Sequence, residues 1–172
     1  PLAAPSTTLV YTGLTESQSA TVKNRFHSRF GEITAGLDYY DDRAAFMSAG
    51  SPTLEEKADN TGAFVQLRQT LADGTLDLSY GLRHDRESFT GTDGSDHSDS
   101  GSSGNVFADY RVNNMLSVNA GYAKVWGGIA LAENFILNSA WDYRDLNAVD
   151  ASNYTVGLRL LLGDIMVEAN RY

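Results

Sequence analysis

The chain has 172 residues with 22 Asp+Glu against 13 Lys+Arg, a formal charge of −9. An acidic surface argues against nucleic acid as a partner, since phosphate contacts need clustered cations. The absence of cysteine removes disulfide frameworks, thiolate metal sites and cysteine nucleophiles together. No apolar run approaches the ~18 residues of a membrane helix, but a membrane β-barrel hides its hydrophobicity in alternation.

Alternation is the dominant pattern along the chain. A weak strand around Leu9 to Leu14 comes first. From Ala20 to Phe30, Val22, Phe26 and Phe30 share one phase, with Lys23, Arg25, His27 and Arg29 on the other. Ile33, Ala35, Leu37 and Tyr39 then oppose Glu32, Thr34 and Asp38. Ala63, Val65 and Leu67 oppose Gln66 and Arg68, and Leu76, Leu78, Tyr80 and Leu82 oppose Asp77, Ser79 and Arg83. Val106, Ala108 and Tyr110 oppose Asp109 and Arg111; Leu116, Val118, Ala120 and Tyr122 oppose Ser117 and Asn119. Tyr154, Val156 and Leu158 oppose Thr155 and Arg159, and Ile165 and Val167 oppose Glu168. A repeated period of two means β-strands with one apolar and one polar face. The predicted fold class is all-β, an antiparallel transmembrane β-barrel meander of eight or nine strands. Residues 1–172 are read as one barrel domain or barrel segment, with 1–19 weakly structured or a first strand.

The predicted connections alternate in length. Phe30-Gly31, Ala72-Asp73-Gly74, Asn113-Asn114 and Gly163-Asp164 have the chemistry of tight hairpin turns. Asp41 to Asn60, Thr90 to Gly104 and Gly127 to Ser152 read as long loops. Short turns at one end and long loops at the other fit an outer-membrane barrel with short periplasmic turns and long extracellular loops. Two further features favour a membrane barrel over a soluble one with its apolar face inward. Tyr39, Tyr40, Phe89, Trp126 and Tyr154 fall near strand ends, as interfacial girdles do. Gly36, Gly81, Gly121 and Gly157 fall on the polar phase, where a crowded lumen tolerates missing side chains.

Several segments resemble strands of TonB-dependent outer-membrane receptors. They are Gly62-Ala63-Phe64-Val65-Gln66, Leu78-Ser79-Tyr80-Gly81-Leu82-Arg83-His84-Asp85, Leu116-Ser117-Val118-Asn119-Ala120-Gly121-Tyr122 and Ser152-Asn153-Tyr154-Thr155-Val156-Gly157-Leu158-Arg159. The last is similar to the Asn-Tyr-Glu-x-Gly-x-Arg strand of those receptors. The resemblance covers about residues 20 to 172. Two departures stand out. Leu146-Asn147-Ala148-Val149 replaces the usual Leu-Lys-Pro-Glu, and Gly127-Gly128-Ile129-Ala130 replaces the Phe-Arg-Ala-Pro box of many heme receptors. No His lies between that stretch and Asn153, so no heme-ligating loop histidine is expected there.

The resemblance implies a bacterial outer-membrane location, outer-membrane lipid as a partner, and uptake of a ferric siderophore or other metal complex. It implies contact with TonB only through a plug that these residues do not contain, so the chain reads as a receptor fragment. The alternative is a self-contained eight-stranded barrel with a structural or lipid-interacting role. No cofactor is expected, and no nucleophile elbow, metal helix or phosphate loop marks an enzyme.

Two loops carry candidate ligand residues. Trp126, Asn134, Phe135, Asn138, Trp141, Tyr143 and Arg144 combine aromatic bodies with polar handles, suited to a planar or apolar metal chelate. Asp93, Asp96, His97 and Asp99 form a weaker cation-binding candidate of hard oxygens and one imidazole. The remaining polar-face charges, from Lys23 and Arg25 to Asp109 and Arg159, read as an ion-pair lattice in the lumen.

Overall fold

A computed structural model describes residues 11–48, 53–129 and 147–172. Eight strands account for nearly all of them: β1 Tyr11–Ser28, β2 Gly31–Ser48, β3 Leu54–Leu71, β4 Leu76–Thr90, β5 Asp96–Arg111, β6 Leu116–Trp126, β7 Asp150–Leu162 and β8 Ile165–Arg171. They form one antiparallel sheet in the order β1 to β8, each paired with its neighbour in sequence. This is the predicted meander. The ladder is linear, and β1 pairs with β2 alone among the described residues. A self-contained eight-stranded barrel would join β1 to β8, so the sheet is a curved wall rather than a closed tube.

The tight turns fall where their residues predict. Between β1 and β2, the Ser28 hydroxyl accepts from the Phe30 N–H at 3.1 Å and donates to the Gly31 carbonyl at 3.1 Å. Between β3 and β4, Ala72 and Asp73 take left-handed φ of 51° and 54°, the backbone that matches hairpin twist. Between β5 and β6, Asn113 Oδ1 accepts from the N–H groups of Met115 and Leu116 at 2.8 and 2.9 Å, a side chain standing in for a backbone turn.

The other end differs from expectation. β1, β2 and β3 each run 18 residues, about 60 Å at strand rise. Crossing ~30 Å of hydrocarbon takes about ten tilted residues. Most of Asp41 to Asn60 is therefore strand, and so is most of Thr90 to Gly104: β5 begins at Asp96 and pairs with β4 through Thr90↔Asp96. Only residues 91–95 form a turn there, and only 49–53 separate β2 from β3. These segments lack alternation because neither of their faces requires apolar side chains. The weak signal near Leu9 to Leu14 falls partly within β1, which begins at Tyr11.

Register carries the apolar phase across the sheet in continuous rows. Phe26, Ile33, Leu67, Tyr80, Val106, Tyr122 and Tyr154 are successive partners over seven strands. The Tyr122 and Tyr154 rings lie 4.7 Å apart. This face is exposed: Val22 is 74%, Leu82 69% and Val156 64% accessible. The concave face instead buries charge, with Asp85 at 4% and Asp38 at 7%. That is the inverse of a water-soluble barrel. Of the five aromatics expected in girdles, Tyr39 and Tyr154 are exposed on the outward phase, whereas Tyr40 shares the concave phase of Asp38 and Asp42. Phe89 and Trp126 are instead buried. Phe89 shares the phase of Asp85 and Glu87, so the period of two sends it inward.

Candidate functional site on the concave wall

The concave surface is organised by one arginine. Asp38, Gly62 and Asp85 are successive partners across β2, β3 and β4. Gly62 has no side chain, and a Cβ there would run into Arg83 and Asp85. The gap lets the Arg83 guanidinium lie flat across β3. Its Nη2 donates to Asp85 Oδ1 at 2.6 Å, its Nε donates to both Asp85 oxygens at 2.8 and 2.9 Å, and its Nη1 donates to Asp38. The planar fork spans two carboxylates, as an ammonium could not. Gly36 makes similar room: a Cβ there would stand 2.7 Å from the Phe64 ring, over which the guanidinium also sits.

Charge divides along the wall. Toward the turn end, Arg25 and His27 both pair with Glu32 at 3.4 and 3.2 Å, and Arg159 meets Glu168 at 2.5 Å. These match the expected lumen lattice. Toward the loop end, the concave phase holds Asp38, Asp42, Glu56, Asp85, Glu87 and Asp99 against Lys23 and Arg83. There the wall borders a chamber of about 810 Å³, with Asp38, Tyr40, Arg83, Glu87, Trp126 and Ile129 among its lining residues.

The chain leaving β6 turns into this chamber. Gly127 N–H donates to the Val149 carbonyl at 2.7 Å and Val149 N–H to the Gly128 carbonyl at 3.1 Å, which extends the β6–β7 ladder. Ile129 then buries its side chain with Ala58 of β3 and Phe89 of β4. Its N–H donates to Glu87 Oε2 at 2.9 Å.

The predicted ligand residues are separated by this geometry. Trp126 is buried, with its ring above Gly101, where a Cβ would strike the indole. Asn134, Phe135, Asn138, Trp141, Tyr143 and Arg144 lie outside the described residues. Asp93, Asp96, His97 and Asp99 do not converge. Asp93 sits in the 91–95 turn and accepts from the Ser95 N–H and hydroxyl at 2.9 and 2.6 Å; these bonds hold its carboxyl below the usual range. The other three occupy β5, where alternation puts His97 and Asp99 on the concave phase and Asp96 on the opposite one. Among the described residues, no three His, Asp or Glu side chains gather as a metal site. Sequence reasoning missed Glu87, Phe89 and Ile129 as a group. A usable signal existed: Phe89 is a large apolar residue on the polar phase, and the Gly127-Gly128 pair follows the β6 alternation directly.

An antiparallel wall with an exposed apolar face and a concave face that buries Asp38 and Asp85 around Arg83 defines a section of a membrane β-barrel. Residues 4–170 match the family described as TonB dependent receptor-like, beta-barrel, and the chain belongs to that family, whose members are proteins of the bacterial outer membrane. It is 32% identical over 115 residues to the heme transporter BhuA of Brucella ovis, an alignment covering 65% of this chain and 17% of the transporter. The chain therefore spans a minor part of that relative. Among solved structures, the copper transporter OprC superposes with a TM-score of 0.83 at 15% identity, over 97% of this chain and 31% of that one. The ferric preacinetobactin receptor BauA of Acinetobacter baumannii gives 0.64 at 16% identity, over 94% and 28%.

Proposed function

We propose that this chain is part of the barrel wall of a receptor that imports a metal complex across the outer membrane. The carrying observation is the inverted wall: apolar rows outward, and inward a carboxylate-rich face bordering a chamber near the loop end. On this reading the outward face meets lipid, and the wall itself performs no chemical step. Coupling to TonB belongs to a plug domain elsewhere in the full-length protein. Heme or a ferric siderophore is the cargo class, supported by the similarity to a heme transporter.

The aromatic residues of the β6–β7 connection, Trp141 and Tyr143 above all, are the proposed cargo contacts. Phe135 adds a third ring, and Asn134, Asn138 and Arg144 serve as polar handles. A strain lacking the full-length gene should fail to grow on heme, or on a ferric siderophore, as sole iron source, and the intact gene should restore growth. Alanine at Trp141 and Tyr143 should each weaken binding by about 1 kcal/mol if they are anchors. Unchanged growth on every iron source tested would sink the import reading.

A further inference from the structure

The inward turn after β6 is held by more than its own ladder. Glu87 lies at the loop end of β4 on the concave phase and is 5% exposed. Its carboxylate reaches across the sheet from β4 to accept the Ile129 N–H at 2.9 Å, a buried bond between residues 42 apart in sequence. Gly128 precedes it with φ of +67°, and a Cβ there would collide with Glu87 Oε2. Beside this bond, Ile129 completes a buried apolar cluster with Ala58 and Phe89. A carboxylate, a bare left-handed glycine and an apolar contact thus converge on one segment. If the segment stood away from the wall, Phe89 and Ile129 would return to water and the bond to the carboxylate would be lost, while the bare glycine is what lets the backbone pass so close to Glu87.

We propose that Glu87 is a positioning residue, pinning the start of the β6–β7 connection onto the β3–β4 wall so that Trp126 and Ile129 close the side of the chamber. If the protein imports a metal complex, this contact fixes the base of the loop carrying the proposed cargo aromatics. The pinning itself is a property of the apo wall and needs no cargo.

The test uses the full-length protein in the outer membrane of intact cells. Ala58→Cys is a small change at a site covered by Ile129, and a membrane-impermeant maleimide reports its cover. In the otherwise unchanged protein this introduced thiol should label slowly. In the Glu87→Ala background it should label at least about tenfold faster, since loss of a buried charge-assisted bond raises the open population by that order. Gly128→Ala should act alike, because its methyl displaces the carboxylate. Glu87→Gln should stay within about twofold of the parent, because an amide oxygen still accepts from the Ile129 N–H. An exposed Asp93→Cys should label equally in all backgrounds, and unheated gel mobility should report a folded barrel. If Glu87→Ala fails to assemble, Gly128→Ala carries the test. Slow labelling at position 58 in folded Glu87→Ala and Gly128→Ala, or labelling in Glu87→Gln as fast as in Glu87→Ala, overturns the assignment. Because the readout needs no cargo, failure of the import reading leaves it intact, and the reverse also holds.

Discussion

The two ends of the sheet obey different rules, although the same strands run through both. Toward the turns, side chains alternate strictly, with one face apolar and exposed and the other polar. Toward the loops, the strands continue with the same register but without the alternation: β2 reads Asp41-Asp42-Arg43, and β5 opens with a Ser, Gly and Asp run. Backbone pairing alone therefore extends the sheet past the point where hydrophobic patterning stops. The difference teaches that periodicity reports the solvent on each face, not the presence of a strand.

The largest expected effect tests the polar side of the comparison. Arg83 serves two carboxylates whose side chains are 8% and 5% exposed. Removing it strips both buried carboxylates of their cationic partner, so Arg83→Ala should cost about 3–5 kcal/mol. Arg25, 62% exposed beside Glu32, should cost less than about 1 kcal/mol when replaced by alanine. Denaturant unfolding of the full-length protein in lipid would measure both. Equal costs would mean that the wall is uniformly wet and that the Gly62 gap has no electrostatic role.

The apolar side offers the next contrast. Val156 stands mid-band on the outward face, while Ser100 stands on the same phase in the upper part of β5. Val156→Arg should destabilise by about 2–4 kcal/mol near the midplane of hydrocarbon. Ser100→Arg should change stability by no more than about 0.5 kcal/mol, the usual scale for a surface substitution. The same unfolding experiment checks the pair. A cost at Ser100 equal to that at Val156 would extend the lipid band up to the loops and remove the distinction between the two ends.

The lower sheet and its turns are readable from sequence because each residue there has two separate duties, phase and turn chemistry, and both leave a period. Lys23, Arg83 and Arg159 fall on one predicted phase and the structure puts them on one face. The upper sheet leaves no such trace. Ser98, Ser100 and Ser102 suit a strand as well as a loop, and nothing in their local pattern chooses between the two. Pairing with Ser88, Arg86 and His84 of β4 decides the matter. Phe89 and Trp126 are misread for a different reason. Position near a strand end suggests a girdle, but burial depends on what lies against them, here Ile129 and the bare Gly101. The Glu87 contact with Ile129 spans 42 residues, a distance at which sequence spacing carries no geometric information.

The smallest expected effect compares the turns at the two ends. The 91–95 turn closes with Gly91 N–H to the Ser95 carbonyl at 2.9 Å, and Asp93 adds two bonds from Ser95. The Asp93 carboxyl is held below its usual 3.8, first by the Ser95 hydroxyl and then by the Ser95 N–H. A lowered carboxyl contributes order above its unfolded value and loses it as pH falls through the folded one. The turn should therefore hold its order from neutral pH down through the ordinary carboxylate range and loosen only below it. At the opposite end, the Ala72–Gly74 turn is closed by the Thr75 hydroxyl and N–H on the Ala72 carbonyl, groups that do not titrate there. Hydrogen exchange of peptides covering each turn, corrected for intrinsic rates, should show protection falling in acid for 91–95 and flat for 72–75. Asp93→Asn should flatten the first profile while keeping the acceptor. A 91–95 profile that loosens well above the usual carboxylate range, or one unaffected by Asp93→Asn, would place the order of that turn in its backbone and erase this last difference between the ends.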